Sequence, residues 1–323
     1  MKILVVGGSG FLGWEVVRVG LAAGHDVVAT YYGNPVRGGA VGGGAVGGGA
    51  VGGGAPGGGA GAVGVEWRRV DVRSREGTVA LGTAVRPDVI VNAAYRQSDW
   101  ATTAAGGAHV GLAAAAAGAR LVHVSSDVVF SGAAPSYDET ALPDPITPYG
   151  AAKAAAETAI AAMAPDAAIV RTSLIVGPGL VGPGLVGPGV VGEGESQHER
   201  FLHRLAADPS RGVLFTDDIR CPVHVTDLAS ALLELAAHPG VHHVAGPDAV
   251  SRHELGVLIG RRDGVPTDHL PTGRRAELGP PAPLDVRLDC TATQAKLTTR
   301  LRGARTFLAP RPPGERPHWP GRR

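Results

Sequence analysis

The chain has two cysteines, Cys221 and Cys290. They show no metal-ligand spacing and cannot form a disulfide framework, so they read as free thiols of a reducing cytosol. Net charge is nearly absent as well: 30 basic against 29 acidic residues leaves +1. The basic footprint of a nucleic-acid-binding protein is therefore missing. No apolar run approaches the roughly 18–20 residues of a membrane span. The opening MKILVVGGSGFLG resembles a secretion signal, but glycines break its apolar run. These absences predict a cytoplasmic protein that engages neither nucleic acid nor membrane. Lysine is scarce too: Lys2, Lys153 and Lys296 are three of the 30 basic residues.

Glycine is the opposite case, with 50 residues beside 25 prolines. Sixteen glycines fall in residues 38–64 and eight in 177–194, as VGGGA-type and VGPGL-type pentapeptides. A repeat of five excludes collagen, which needs three. Neither tract can bury enough apolar area to offset its ordering entropy. Both are expected to be loosely ordered insertions in loops, which lengthen at only ~0.6 kcal/mol per doubling.

Outside the tracts, short buried strands alternate with helices. Ile3–Val6, Asp26–Tyr32, Val65–Val72, Pro87–Ala93, Arg120–Ser125 and Ala168–Val176 read as strands. Phe11–Ala23, 101–117 and 147–163 read as helices. This order predicts an α/β fold, a doubly wound parallel sheet of Rossmann type. A smaller α+β C-terminal lobe should bind substrate. The expected division is 1–176 for the dinucleotide domain and 177–302 for the lobe, with some segments returning to the first. A flexible tail is expected at 303–323. Within the lobe, Thr226–Ala237 reads as a helix, Val241–Ala245 as a strand, and Ser251-x-x-Glu254 as a capping box.

Gly7-Gly8-Ser9-Gly10-Phe11-Leu12-Gly13 follows the first strand and opens the first helix. Glycines there let backbone N–H groups and a helix N-terminus approach a pyrophosphate. An acid closing the second strand would hold the ribose of NAD. That strand ends Thr30-Tyr31-Tyr32, with Asp26 at the wrong end and Arg37 just beyond. The pattern favours NADP(H) over NAD(H), with Arg37 at the 2′-phosphate.

Tyr149-Gly150-Ala151-Ala152-Lys153 places a phenol and an ammonium one turn apart on a helix. A neighbouring cation should lower the phenol pKa and suit Tyr149 to proton transfer. The strand before it ends Ser125-Ser126-Asp127, at the sheet edge where ligands bind. Ser126 is therefore the candidate for orienting a carbonyl. Arg171 and Arg220 are candidates for substrate phosphates. The twelve histidines show no metal pattern, and no metal site is expected.

The glycine motif, Asp71-Val72, Asn92-Ala93-Ala94, VHVSSDVVFSG (122–132) and YGAAK together resemble the extended short-chain dehydrogenase/reductases. Within them the chain is most similar to dTDP-4-dehydrorhamnose reductases and their sugar-nucleotide-binding relatives. IRCPVHVTDLASALLEL (219–235) and VHHVAG followed by SRHELG extend the likeness over roughly 1–260. The resemblance implies a catalytic group of Ser126, Tyr149 and Lys153. It implies cofactor contacts at Gly7, Gly10, Phe11, Leu12, Gly13, Asp71, Val72, Ala93 and Ala94, with Tyr149 and Lys153. It implies reduction of a 4-keto-deoxysugar nucleotide, and it admits a homodimer. The departures are Ser126 for Thr, Val128 for Tyr, Leu174 for an aromatic, no Glu after Asp99, and no Asn in 101–117. They leave two alternatives open: a non-catalytic dinucleotide-binding regulatory subunit, or an epimerase or dehydratase on the same scaffold.

Overall fold

The structure is a computed structural model that describes residues 1–33, 65–177 and 195–310. Arg37, residues 311–323 and both glycine tracts apart from Gly177 lie outside the described residues.

In chain order the first half gives β1 (Lys2–Val6), α1 (Phe11–Ala22), β2 (Asp26–Tyr31), β3 (Glu66–Arg69) and α2 (Arg75–Val85). It continues through β4 (Val89–Asn92), α3 (Gly106–Ala117), β5 (Arg120–Val124), α4 (Pro148–Met163) and β6 (Ala168–Thr172). The second half gives β7 (Ile175–Val176), α5 (Gln197–Ala207), β8 (Leu214–Phe215), β9 (Ile219–Arg220), β10 (Val223–His224) and α6 (Val225–Glu234). It ends with β11 (Gly240–Val244), β12 (Val250–Ser251), α7 (Arg252–Asp263), β13 (Thr272–Gly273), α8 (Thr291–Gln294) and α9 (Ala304–Phe307).

Among the described residues, seven parallel strands form one sheet in the order β11-β6-β5-β4-β1-β2-β3. The strands are apolar on both faces because helices cover both. Ile3 and Val5 of β1 pack with Val16 and Val17 of α1 and Leu228 and Leu232 of α6. Leu4 and Val6 pack on the other side with Val110 of α3 and Ile160 of α4. The chain reverses direction across the sheet between β1 and β4, which opens a crevice at their carboxyl ends. The second half contributes to this sheet through β11 beside β6 and through α6 on α1. A second core joins Leu202 and Leu205 of α5, Leu214, and Leu255 and Ile259 of α7.

Three local expectations change. The stretch 101–117 starts with a π-helical turn, Ala101–Ala105, before α3. Ser251 caps α7 through Glu254 N–H, but the Glu254 carboxylate goes to Arg305. The reciprocal capping box forms instead at Ser196 and Glu199 of α5. The chain after Gly303 is packed as far as Leu308: Ala304 and Leu308 are fully buried in the second core. Their apolar side chains outweigh the Arg- and Pro-rich composition that suggested a frayed end.

Arg171 on β6 locks several of these elements. Its guanidinium is 2.8 Å from Glu157 of α4, with both groups nearly fully buried. It also donates to Ala141 O at 3.0 Å and lies over the Phe130 ring. Removing one member of a buried pair leaves the other charge uncompensated, at about 3–5 kcal/mol. Arg171→Met should lower the urea midpoint by that amount of stability, and the double change Arg171→Met with Glu157→Met should recover much of it. An unchanged midpoint in the single variant would contradict the pairing.

Candidate active site

Gly7 leaves β1 with φ at 83°, and a β-carbon there would stand 2.8 Å from Ala94 N. Only glycine allows both that conformation and that approach. Gly10 N–H donates to Gly7 O at 3.0 Å, and Trp14 N–H to Gly10 O at 2.8 Å starts α1. A β-carbon on Gly13 would lie 2.1 Å from Gly7 O. The first turn of α1 has no side-chain cap and no acidic residue. The N–H groups of Phe11, Leu12 and Gly13 are thus left to an anion. Leu12 itself is buried in the core and Phe11 packs against it. This bare cradle fits the diphosphate of a dinucleotide.

Beside it, Thr30 accepts from Gly7 N–H at 2.9 Å. Ala93 N–H donates to Val6 O, and Ala94 N–H to the Asn92 side chain. Asp71 sits where the resemblance puts adenine, but Arg73 grips its carboxylate at 2.9 and 2.7 Å. That hydrogen bonding holds the Asp71 pKa below its usual value. Arg73 also bonds the Tyr32 hydroxyl at 2.5 Å. Val72 is buried, and its carbonyl accepts from the His109 ring at 2.8 Å.

The catalytic candidates come together by a second glycine. Thr147 caps α4 by accepting from Gly150 N–H, with Pro148 in the first turn. A β-carbon on Gly150 would lie 2.1 Å from Val128 O. The helix start therefore presses onto the turn that follows Ser126, and the Ser126 hydroxyl favours the Tyr149 phenolate, weakly opposing the rise in its pKa. Lys153, one turn on, is buried and donates to Val124 O at 2.8 Å. Burial pulls its pKa down to about 8, partly offset by Glu157. The Tyr149 pKa is raised, by burial first and then by Tyr95 and Asp127. This reverses the expectation from spacing. The Lys153 ammonium, 6.0 Å from the Tyr149 ring centre, is turned to a carbonyl, and desolvation dominates. The phenol is held in its proton-donating form.

Two residues at the site were not singled out from the sequence. Tyr95, about half exposed, stacks obliquely with Tyr149 at 5.9 Å and lies 5.2 Å from the Lys153 ammonium. Asp127 is buried beside Ser126. Their signal was adjacency: each directly follows a residue already marked. The two arginines proposed for phosphates are unavailable to them. Arg171 is committed to Glu157, while Arg220 is buried on Asp218 and the carbonyls of Ile219, Pro283 and Leu284. Arg37 lies outside the described residues.

The profile of the RmlD substrate binding domain family matches residues 1–309. The chain belongs to that family. The dTDP-4-dehydrorhamnose reductase of Mycobacterium tuberculosis (strain H37Rv) is 32% identical over 245 residues, 73% of this chain and 76% of that protein. The methionine adenosyltransferase 2 subunit beta of Rattus norvegicus is 30% identical over 231 residues, 68% of this chain and 64% of that protein. Among solved structures, the dTDP-4-dehydrorhamnose reductase of Bacillus anthracis in complex with NADP aligns with a TM-score of 0.71 at 19% identity, covering 95% of this chain and 96% of that one. The Bordetella bronchiseptica enzyme WbmH in complex with NAD+ aligns equally well, at 0.71 and 19%, with the same coverage. A nicotinamide dinucleotide is thus the cofactor type seen on this RmlD-type fold.

Two outcomes follow from the geometry. Gly13→Ala should abolish measurable dinucleotide binding and cost about 1–3 kcal/mol of stability through overpacking. The exposed Leu142→Ala, outside the glycine motif, serves as control, and retained binding in Gly13→Ala would refute the cradle. Lys153 carries its charge below its pKa of about 8 and loses it above. Dinucleotide affinity should therefore fall as pH rises through that value, and Lys153→Met should remove the dependence. Fluorescence titration of bound NADPH across that range checks both.

Proposed function

We propose that this protein is an NAD(P)H-dependent reductase of a 4-keto-deoxysugar nucleotide. The observation that carries the reading is the convergence of Ser126, Tyr149 and buried Lys153 beside a glycine cradle that admits a diphosphate. Residues 1–176 form the dinucleotide-binding unit, and 177–302 contribute mainly the lobe for the nucleotide sugar, with β11 and α6 returning to the first unit. The dihydronicotinamide, when bound, supplies a hydride. Ser126 orients the keto oxygen, and Tyr149 gives that oxygen its proton as charge develops. Lys153 fixes the ribose and offsets the phenolate that forms. Tyr95 covers the pair and limits water. NADP(H) is preferred, because β2 ends in Tyr31 with Tyr32 next, and the nearby Asp71 is consumed by Arg73. Two free thiols suit a cytoplasmic setting.

Dehydration, and epimerisation through an enolate, need a base to remove a C–H proton. Among the described residues the carboxylate that acts on Tyr149 is Asp127, and it already accepts from Ser173 at 2.6 Å. Reduction needs no such base and is favoured. The transferase-subunit relative keeps a regulatory reading in view, and the assembled Ser–Tyr–Lys group weighs against it.

Incubation with NADPH and dTDP-4-dehydrorhamnose tests the proposal. Steady NADPH oxidation is expected, slowed by about 10²–10⁴-fold in Tyr149→Phe with cofactor binding kept. Cofactor binding without turnover would reject the reductase reading for that substrate. Full activity in Tyr149→Phe would reject the mechanism.

A further inference from the structure

Around the carboxyl ends of β2 and β3, Arg68, Arg69 and Arg73 are all exposed. Two of them are committed to carboxylates. Arg68 pairs with Glu66 on its own strand, and Arg73 holds Asp71 at 2.7 Å. Among the described residues Arg69 has no carboxylate partner: its Nε donates to Tyr32 O at 3.2 Å, and its two terminal nitrogens are uncommitted. The adjoining residues 34–64 contain no Asp or Glu.

Strand alternation fixes where Arg69 stands. Trp67 and Arg69 share one face of β3. Trp67 stacks on Trp14 of α1 at 5.7 Å and packs against the core on that side of the sheet. Its ring lies 3.4 Å from where a β-carbon of Gly8 would be. Arg69 is paired with Tyr31 in the β2–β3 register, so it stands on the α1 side, two residues nearer the carboxyl edge than Trp67. The glycine turn reaches the same edge, because Ser9 N–H donates to Thr30 O at 3.2 Å. Tyr32 sorts the two nearby arginines. Its hydroxyl accepts from Arg73 at 2.5 Å, and its carbonyl accepts from Arg69. Arg73 thereby answers the Asp71 charge, and the Arg69 fork is left for a ligand.

A dinucleotide with its diphosphate on the first turn of α1 directs its adenosine ribose to the end of β2. A neutral ribose hydroxyl gains little from a guanidinium, whereas a phosphate gains paired charge-assisted hydrogen bonds. Resting on the NADP(H) preference proposed above, we propose that Arg69 is the residue that sets it: the Arg69 fork takes the 2′-phosphate of the adenosine, with Tyr32 O orienting the fork and Arg73 neutralising the carboxylate that would repel the phosphate.

Calorimetric titration of the full chain tests this without turnover, using NADPH against NADH and adenosine 2′,5′-bisphosphate against 5′-AMP. The wild type should bind the 2′-phosphorylated member of each pair more tightly. Arg69→Met should weaken NADPH and the bisphosphate by about 10- to 100-fold, the scale of a lost charged hydrogen bond. NADH and 5′-AMP should stay within about twofold, which also shows that the variant is folded. Arg68→Met, which removes an equal charge from the other face of β3, should leave both ratios unchanged. Full preference in Arg69→Met, an equal loss for NADPH and NADH, or the same selective loss in Arg68→Met would overturn the proposal. A preference that survives Arg69→Met and is lost in Arg37→Met would assign the phosphate to Arg37, overturning the Arg69 site while the NADP(H) preference stands. Equal affinity of the wild type for NADPH and NADH would overturn both. Neither result touches the reductase reading, which turnover decides.

Discussion

The 2.8 Å bond from the Lys153 ammonium to Val124 O is the contact on which the site depends. It ties the helix that carries Tyr149 to the strand end that carries Ser126. A buried ammonium is costly, and the structure meets that cost locally. Val124 O accepts one N–H, and Glu157 supplies opposite charge one turn along α4. Glu157 is itself held by Arg171 at 2.8 Å and receives the Ser125 hydroxyl. The residues on either side of Ser126 are thus anchored through different arginines: Ser125 through Glu157 to Arg171, Asp127 directly to Arg220. Ser126, the candidate hydroxyl, lies between these two anchored residues.

The same economy operates at the cofactor end. Gly7 and Gly13 bring backbone to backbone where any side chain would collide. The first turn of α1 has no cap of its own, so its N–H groups are reserved for a ligand. The two ends lie at the carboxyl edge of one sheet, after β1 and β5, with β4 between them. A dinucleotide lying across that edge would place its diphosphate on α1 and its reactive ring near Tyr149.

Much of this was legible in the sequence, for physical reasons that differ by feature. The glycine cradle and the Tyr149–Lys153 pair are short-range patterns, in which spacing fixes geometry directly. The buried strands announce themselves because both faces are covered. The fates of Arg171 and Arg220 were not legible. Glu157 and Asp127 lie on other elements that the fold brings to them, and although Asp218 is two residues from Arg220, spacing does not show that the pair is buried. A free arginine and a buried paired one look alike in one dimension. The direction of the Tyr149 pKa shift was missed for a related reason: spacing reveals the neighbouring cation but not the depth of burial that outweighs it. The packed segment through Leu308 was hidden by its Arg- and Pro-rich surroundings, since composition averages over the few apolar residues that dock.

The central claim is direct hydride delivery to a sugar carbonyl beside Tyr149. The measurement that tests it most directly is single-turnover transfer from NADPH carrying deuterium on the reactive carbon, with the sugar product read by mass spectrometry and NMR. The account predicts one deuterium per product molecule at the former carbonyl carbon, and an oxidised cofactor left without the label. Product without deuterium, or deuterium returned to the cofactor after epimerisation, would contradict it.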